Sequence, residues 1–370
     1  MRIGVVVHGP EIVDSGYAKK IIDLLKNFGD VKAKLGGTMG RVAVIDNNLQ
    51  DVIDISEKLM PSQSLKKLAD NDVLVLMNYG KSKETGHTFG RIVVERANIS
   101  KAIIQIERPG EKDGTIIVWN NNNSEEVKKI VDFLLNALNL KVENCISDGL
   151  SVWREGNRVF RRVHGVDEGE AIMVNGIVVG RAKDKEVVIV VEDGKIVDII
   201  NGEIKEHGVE KLGRIDLEKA VIKTGLLRRH PSAFNLEDSY PSNNEILNKG
   251  EVVFINHAGE DVLEKIGNKD VSVVITIGDD TTTICGDILA RFGIRIIGIT
   301  DGDRDEILKN PIIAEGSVIF LIENMRDDDV GELLMKVFED RRTGRISFSE
   351  CLEVVKEILH EHEVKYKEIK

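Results

Sequence analysis

Short runs rich in Val and Ile, each followed by an amphipathic stretch, recur near both ends of this chain and leave few folds open to it. Ile3 to Val7 is one such run, and Tyr17 to Phe28 then places Ala18, Ile21, Ile22, Leu24 and Leu25 at helical spacing before Gly29. Val42 to Ile45, Val73 to Met77, Ala102 to Ile106 and Thr115 to Trp119 are further strand-like runs, while Phe89 to Ala97 and Ser124 to Leu138 read as helices. In the last of these, Ser124 supplies an N-cap with Glu125 and Glu126 in the first turn. Val127, Ile130, Val131, Leu134, Leu135 and Leu138 form its apolar stripe. Strands apolar on both faces need helices on both faces, so the repeat predicts a mainly parallel, covered sheet over residues 1–145.

The rhythm changes after Cys145. Ala171 to Val174, Ile177 to Val179, Val187 to Val191 and Ile196 to Ile200 are joined by Asn175-Gly176 and Glu192-Asp193-Gly194-Lys195. These pairs favour the left-handed backbone of tight hairpins, so residues 146–225 should form a small antiparallel unit. Residues 226–250, with Pro231, Pro241 and a Ser-Asn-Asn run, read as a linker. From Glu251 the alternation resumes: strands Val252 to Asn256, Val271 to Ile277, Ile294 to Thr300 and Ser317 to Glu323, and helices Asp261 to Ile266, Thr283 to Phe292 and Asp305 to Leu308. Two further helices, near 328–340 and 347–362, complete a third region over residues 251–370. The expected fold class is α/β, with two Rossmann-like or flavodoxin-like parallel-sheet domains joined by a small antiparallel β unit.

At 370 residues, with 42% hydrophobic and 31% charged residues, there is ample apolar material for more than one core, and global disorder is excluded. Three cysteines without a CxxC pair argue against a disulfide framework or a cysteine-ligated zinc site. No apolar stretch reaches the roughly 18 residues of a membrane span, so a cytoplasmic location without a membrane partner is expected. The net charge of -12 is uneven: residues 251–370 hold 26 Asp+Glu against 15 Lys+Arg, whereas residues 1–250 are nearly balanced at 37 against 36. Nucleic acid is held chiefly by phosphate neutralisation, which needs a basic face. Only local patches could serve here, notably Arg158, Arg161 and Arg162 with Trp153 and Phe160, or Arg341-Arg342-Thr343-Gly344-Arg345. A nucleic-acid partner is therefore expected to bind weakly if at all.

The sharpest chemical signal is Ile296-Ile297-Gly298-Ile299-Thr300-Asp301-Gly302-Asp303, a strand that ends in two carboxylates around a glycine. Ligands of parallel sheets collect beyond such strand ends. Paired carboxylates repel, and a hard divalent cation relieves the repulsion, which makes Asp301 and Asp303 candidate ligands for Mg2+ or Mn2+. Neighbouring runs end in Gly278-Asp279-Asp280-Thr281-Thr282 and Asn256-His257-Ala258-Gly259-Glu260. Asp279 and Asp280 join the metal candidates. Gly278, Thr281 and Thr282 are suited to a phosphate at a helix start, and His257 and Glu260 to acid-base work.

Carried by Asp301-Gly302-Asp303 in that context, residues 251–330 resemble a TOPRIM domain, the magnesium-binding α/β module of topoisomerases, primases and related nucleases. The resemblance implies metal-dependent phosphodiester chemistry. At the position of that family's glutamate stands His257, with Glu260 and Asp261 three and four residues later. Ile277-Gly278-Asp279-Asp280-Thr281 also resembles the glycine-rich motif of phosphofructokinase-like and NAD kinases, with a bulkier, more acidic loop. Taken together, the His8-Gly9-Pro10 opening, Lys83-Glu84-Thr85-Gly86-His87-Thr88-Phe89-Gly90 and the Asp-Gly-Asp ending resemble an uncharacterised family of methanogenic archaea.

In the N-terminal region, Gly36-Gly37-Thr38-Met39-Gly40-Arg41 and Tyr79-Gly80-Lys81-Ser82 lie beside expected strands, so Gly37, Arg41 and Lys81 are candidates for an anion pocket. The spacing around Lys81 is not that of a P-loop. These readings lead to an expected function: Mg-dependent binding of, or phosphoryl or phosphodiester chemistry on, a phosphate-containing small ligand or nucleotide. Two other readings are a non-catalytic sensor or assembly subunit and a divergent kinase-like nucleotide binder.

Overall fold

The computed structural model describes residues 1–120, 124–230, 249–340 and 344–369. Most of the expected linker, including Pro231 and Pro241, and Arg341, Arg342 and Thr343 of the basic run lie outside them. Two compact units emerge. The first comprises Met1–Ile172, Gly180–Ala220 and 228–230, and the second comprises Met173–Val179, Val221–Leu227 and 249–369.

The first unit begins with β1 (Arg2–His8), α1 (Glu11–Asp14), α2 (Tyr17–Leu25), β2 (Asp30–Gly36), α3 (Met39–Asp46), β3 (Ile53–Asp54) and α4 (Pro61–Lys67). It continues through β4 (Val73–Asn78), α5 (Lys83–Ala97), β5 (Ile103–Glu107), β6 (Thr115–Trp119), α6 (Glu125–Leu138) and β7 (Lys141–Val142). These strands form one sheet in the order β3-β2-β1-β4-β5-β6-β7. All neighbours are parallel except β5 and β6. Ile3, Val5 and Val7 of β1 face Ile12, Ile21, Ile22 and Leu25, whereas Val6 faces Leu65, Val93 and Ala97 on the other side. Both faces are thus covered, as continuous apolar strands require. The order reverses between β1 and β4, the doubly wound arrangement in which the loops after these two strands border a crevice.

Val42 to Ile45, read as strand-like, belongs to α3. Every residue of that helix is buried, so the run has no polar face through which a helical period would show. Helix α4 and strand β2 were not among the expected elements either.

The remaining elements of the middle region are β8 (Val152–Glu155), β9 (Arg158–Val163), β10 (Ala171–Val174), β11 (Ile177–Ala182), β12 (Val187–Glu192), β13 (Lys195–Ile200), β14 (Gly202–Ile204), α7 (Glu206–Leu212) and β15 (Ile222–Thr224). Within the first unit β13-β12-β9-β8 form an antiparallel sheet, and β11 pairs with β14. Asn175-Gly176 and Asp193-Gly194 adopt the expected left-handed backbone, with φ of 49° and 84° in the first pair and 48° and 80° in the second.

The second unit carries β16 (Glu251–Ile255), α8 (Val262–Ile266), β17 (Val271–Ile277), α9 (Asp279–Ala290), β18 (Ile296–Thr300), β19 (Val318–Ile322), α10 (Asp327–Asp340), α11 (Phe348–Glu361) and β20 (Tyr366–Ile369). Strands β16 to β19 are parallel and lie in chain order, and β20 closes the edge antiparallel. Val273, Ile275, Ile277, Ile297 and Ile299 pack with Leu334, Phe338, Val355 and Ile358 of α10 and α11. On the opposite face α9 lies close, for Gly298 would place a Cβ 2.6 Å from Thr282 Cγ2. Asp305 to Leu308 is not the expected helix but irregular chain. The Asp305 amide donates to Asp280, and Glu306 sits at φ 53°, a left-handed value that interrupts helical propagation.

Helix α5 carries a polar stripe that holds the chain segment after β7. His87 is fully buried: its Nε2 lies 3.0 Å from Thr115 Oγ1, and its Nδ1 accepts from the Ile146 amide at 3.2 Å. That pair of bonds defines a neutral imidazole donating through Nε2. Burial, then the Lys83 ammonium, lowers its pKa, with Glu143 opposing. A depressed folded pKa contributes stability above the unfolded value of about 6.5 and loses it as pH falls through the folded one. Urea unfolding of the wild type should therefore weaken on acidification more than that of His87→Gln; parallel pH profiles would refute this role.

Candidate functional site

Strand β17 ends at Ile277, and Gly278 at φ 103° turns the chain directly into α9. Asp279 therefore occupies the first helical position with its carboxylate directed across to the chain leaving β18. Its Oδ2 accepts from the amides of Asp301 (3.1 Å) and Gly302 (2.8 Å), and its Oδ1 from Arg304 Nε at 3.2 Å. Asp280 takes the Asp305 amide. Two adjacent acids at the start of α9 thus fold the 301–305 loop over the ends of β17 and β18. Because β16 to β19 run in chain order, no strand-order reversal opens a crevice here, and this carboxylate-to-amide lacing defines the site.

The lacing gathers three acids. Carboxylate oxygens of Asp279, Asp301 and Asp303 all lie within 4.8 Å of one another, with Asp279 buried and the other two exposed. Partial burial raises the pKa of Asp301, and the charges of Asp303 and Asp279 raise it further. The group is an oxygen-only, acidic donor set of the kind that suits a hard divalent ion. Any such ion would compete with Arg304 for Asp279 Oδ1.

The other candidates at these strand ends have separate engagements. Thr282 is buried and shares a 2.8 Å hydrogen bond with Thr276 of β17, so it locks helix to strand. Thr281 is buried beside Gly278, whose Cβ would meet its Oγ1 at 3.4 Å. Glu260 is buried and ion-paired at 2.5 Å to Lys223. The His257 side chain is exposed, and its carbonyl accepts from Lys265.

In the first unit, Gly37 has φ 105° and leaves room for the His8 ring, which stacks on Phe89 with centroids 4.2 Å apart. Arg41 is buried on α3. Lys81 donates to both Glu170 oxygens, at 2.6 and 2.5 Å, and to the Gly165 carbonyl. An anion recruited by Lys81 would have to displace Glu170.

The basic-aromatic patch divides between two faces of its hairpin. Trp153 and Phe160 stack, while Arg158 and Arg162 pair with Glu192 and Glu186. Arg161 alternates to the interior.

Two buried polar clusters were not among the expected site residues. Glu107, at the end of β5, accepts from the Gly80 amide, Asn78 and Gln105. Burial pushes its pKa up against those bonds. Arg228 lies between Asp14 and Asp46. The glycine pair Gly86 and Gly90, four apart on α5, was the available hint of close packing; nothing local marks Arg228.

No helix among the described residues is long and apolar enough to cross a membrane. A family model described as an uncharacterized protein conserved in archaea (DUF2117) matches residues 5–342. An uncharacterized protein of Methanocaldococcus jannaschii is 68% identical over 368 residues, covering 100% of this chain and 99% of that protein. No solved structure matches the chain. The chain belongs to this archaeal family of uncharacterized proteins.

Proposed function

We propose that the second unit binds a divalent cation, Mg2+ or Mn2+, through Asp279, Asp301 and Asp303, and through the cation a phosphate-containing small ligand or nucleotide. The observation that carries this reading is the convergence of the three carboxylates from the start of α9 and the loop after β18. Arg304 offsets charge at Asp279, a cation would relieve the repulsion among the three acids, and three oxygens leave positions for water and phosphate. Helix α9 begins at the same place, and its N-terminal dipole favours an anion there.

Binding is better supported than turnover. Glu260 is committed to Lys223, which leaves exposed His257 as the proton carrier that phosphoryl or phosphodiester chemistry of the TOPRIM kind would require. The same ion pair favours, as second reading, a ligand-sensing or assembly subunit.

Calorimetric titration of the full chain with Mg2+ or Mn2+ should reveal a site that Asp301→Asn with Asp303→Asn removes, because neutral amides do not balance the ion's charge. Affinity should fall on acidification, since Asp301 binds its proton more tightly than an ordinary carboxylate and must release it to the metal. Unchanged binding in the double variant would refute the site.

A further inference from the structure

Arg161 is a buried cation with no carboxylate partner among the described residues. It is 8% exposed, and its Nη1 donates to the carbonyls of Leu217 (2.7 Å) and Ala220 (2.8 Å). Its Nε is shielded from water and has no acceptor. Arg96, near the end of α5, reaches the same turn and donates from Nη2 to the Glu218 carbonyl at 3.1 Å. The Glu218 carboxylate is engaged by Arg154 at 2.7 Å. Among the described residues, neither Arg96 nor Arg161 has a carboxylate within ion-pair distance.

This arrangement is unusual in its sign. Buried guanidinium groups are normally matched by acids, because a charge taken out of water without a partner is strongly unfavourable. Here a second arginine approaches instead, and burial together with the Arg96 charge lowers the Arg161 pKa to about 10. Arg161 stays protonated at neutral pH and retains an unused donor. Peptide carbonyls supply partial negative charge, but two full positive charges converge on one turn.

We propose that Arg96 and Arg161 form a binding site for a small dianionic oxyanion, a phosphoryl group by its chemistry. Two guanidinium groups match the charge of about -2 that phosphate carries near neutral pH. Their planar N–H groups suit its oxygens, and charge-assisted bonds of this kind are the strong ones. The site belongs to the first unit and uses no metal. It is therefore independent of the carboxylate cluster in the second.

The test uses the full chain in EDTA, with inorganic phosphate as probe and acetate as monoanionic control, read by thermal shift and calorimetry. Phosphate, but not acetate at equal ionic strength, should raise the melting temperature of the wild type. Arg96→Gln should weaken phosphate binding about tenfold or more. Arg161→Met should abolish it, and its melting temperature without phosphate shows whether it folds once the carbonyls of Leu217 and Ala220 lose their donor. Asp301→Asn with Asp303→Asn should leave the response intact. Absence of a phosphate response in the wild type, or an equal response in Arg96→Gln and Arg161→Met, would overturn the proposal. If Arg161→Met does not fold, the less buried Arg96→Gln decides the matter.

Discussion

Replacement of Arg228 by Ala should destabilise the protein by about 3–5 kcal/mol, a large part of the roughly 5–15 kcal/mol that holds a typical domain folded. The Arg228 guanidinium donates through Nε and Nη2 to Asp14, at 2.8 and 2.6 Å, and through Nη1 to Asp46 at 2.5 Å. Side-chain exposure is 3% for Arg228, 6% for Asp14 and 0% for Asp46. The loss arises from what remains: two carboxylates sealed from water that no longer share a guanidinium. Truncation of an exposed pair such as Lys129 and Glu125 would cost less than about 1 kcal/mol by comparison. Urea unfolding provides the measurement, and Arg228→Met with Asp14→Asn and Asp46→Asn should recover much of the loss by removing all three charges. A single variant within 1 kcal/mol of wild type would show that water reaches the carboxylates.

Gly86→Ala tests two opposed effects. Helix propensity favours Ala over Gly by about 1 kcal/mol in a helix interior. The added Cβ, however, would lie 2.0 Å from Glu107 Cδ and 2.3 Å from its Oε1. Glu107 has little room to retreat, being fully buried and bonded to Asn78, Gly80 and Gln105. Overpacking of this kind costs about 1–3 kcal/mol or more, so net destabilisation near 2 kcal/mol is expected. Gly90→Ala should behave alike, its Cβ falling 1.8 Å from Gln105 Oε1. A Gly86→Ala protein as stable as wild type would mean that α5 can lift from β5 without penalty.

These cases mark how far local reading of the chain reaches. Strands β1, β4, β17 and β18 were legible because each is rich in Val, Ile or Leu and runs into a glycine-containing or acidic turn. The hairpin pairs were legible because left-handed backbone selects their residues. Helix α3 was not, since complete burial erases the polar face on which periodicity depends. The irregular 305–308 segment escaped because its backbone is set by Asp280, 25 residues earlier. In the candidate site, the Asp-Gly-Asp ending announced two of the three converging carboxylates. That Asp279 rather than Asp280 completes the group depends on the rotation of α9 after Gly278. Thr282 carried the right functional group for phosphate, yet its helical phase directs it into the core. The Arg228 bridge spans 182 and 214 positions, a separation at which residue type alone says nothing of partnership.

The discontinuous make-up of the first unit bears on the order in which the protein is synthesised. Residues 1–172 contain Asp14 and Asp46, but Arg228, which pairs with both, is translated only after the intervening stretches 173–179 and 221–227 of the second unit. A nascent chain that has emerged only to residue 172 holds the strands of the seven-stranded sheet but not the guanidinium that Asp14 and Asp46 share. Formation of that buried bridge therefore waits for a segment made much later in synthesis.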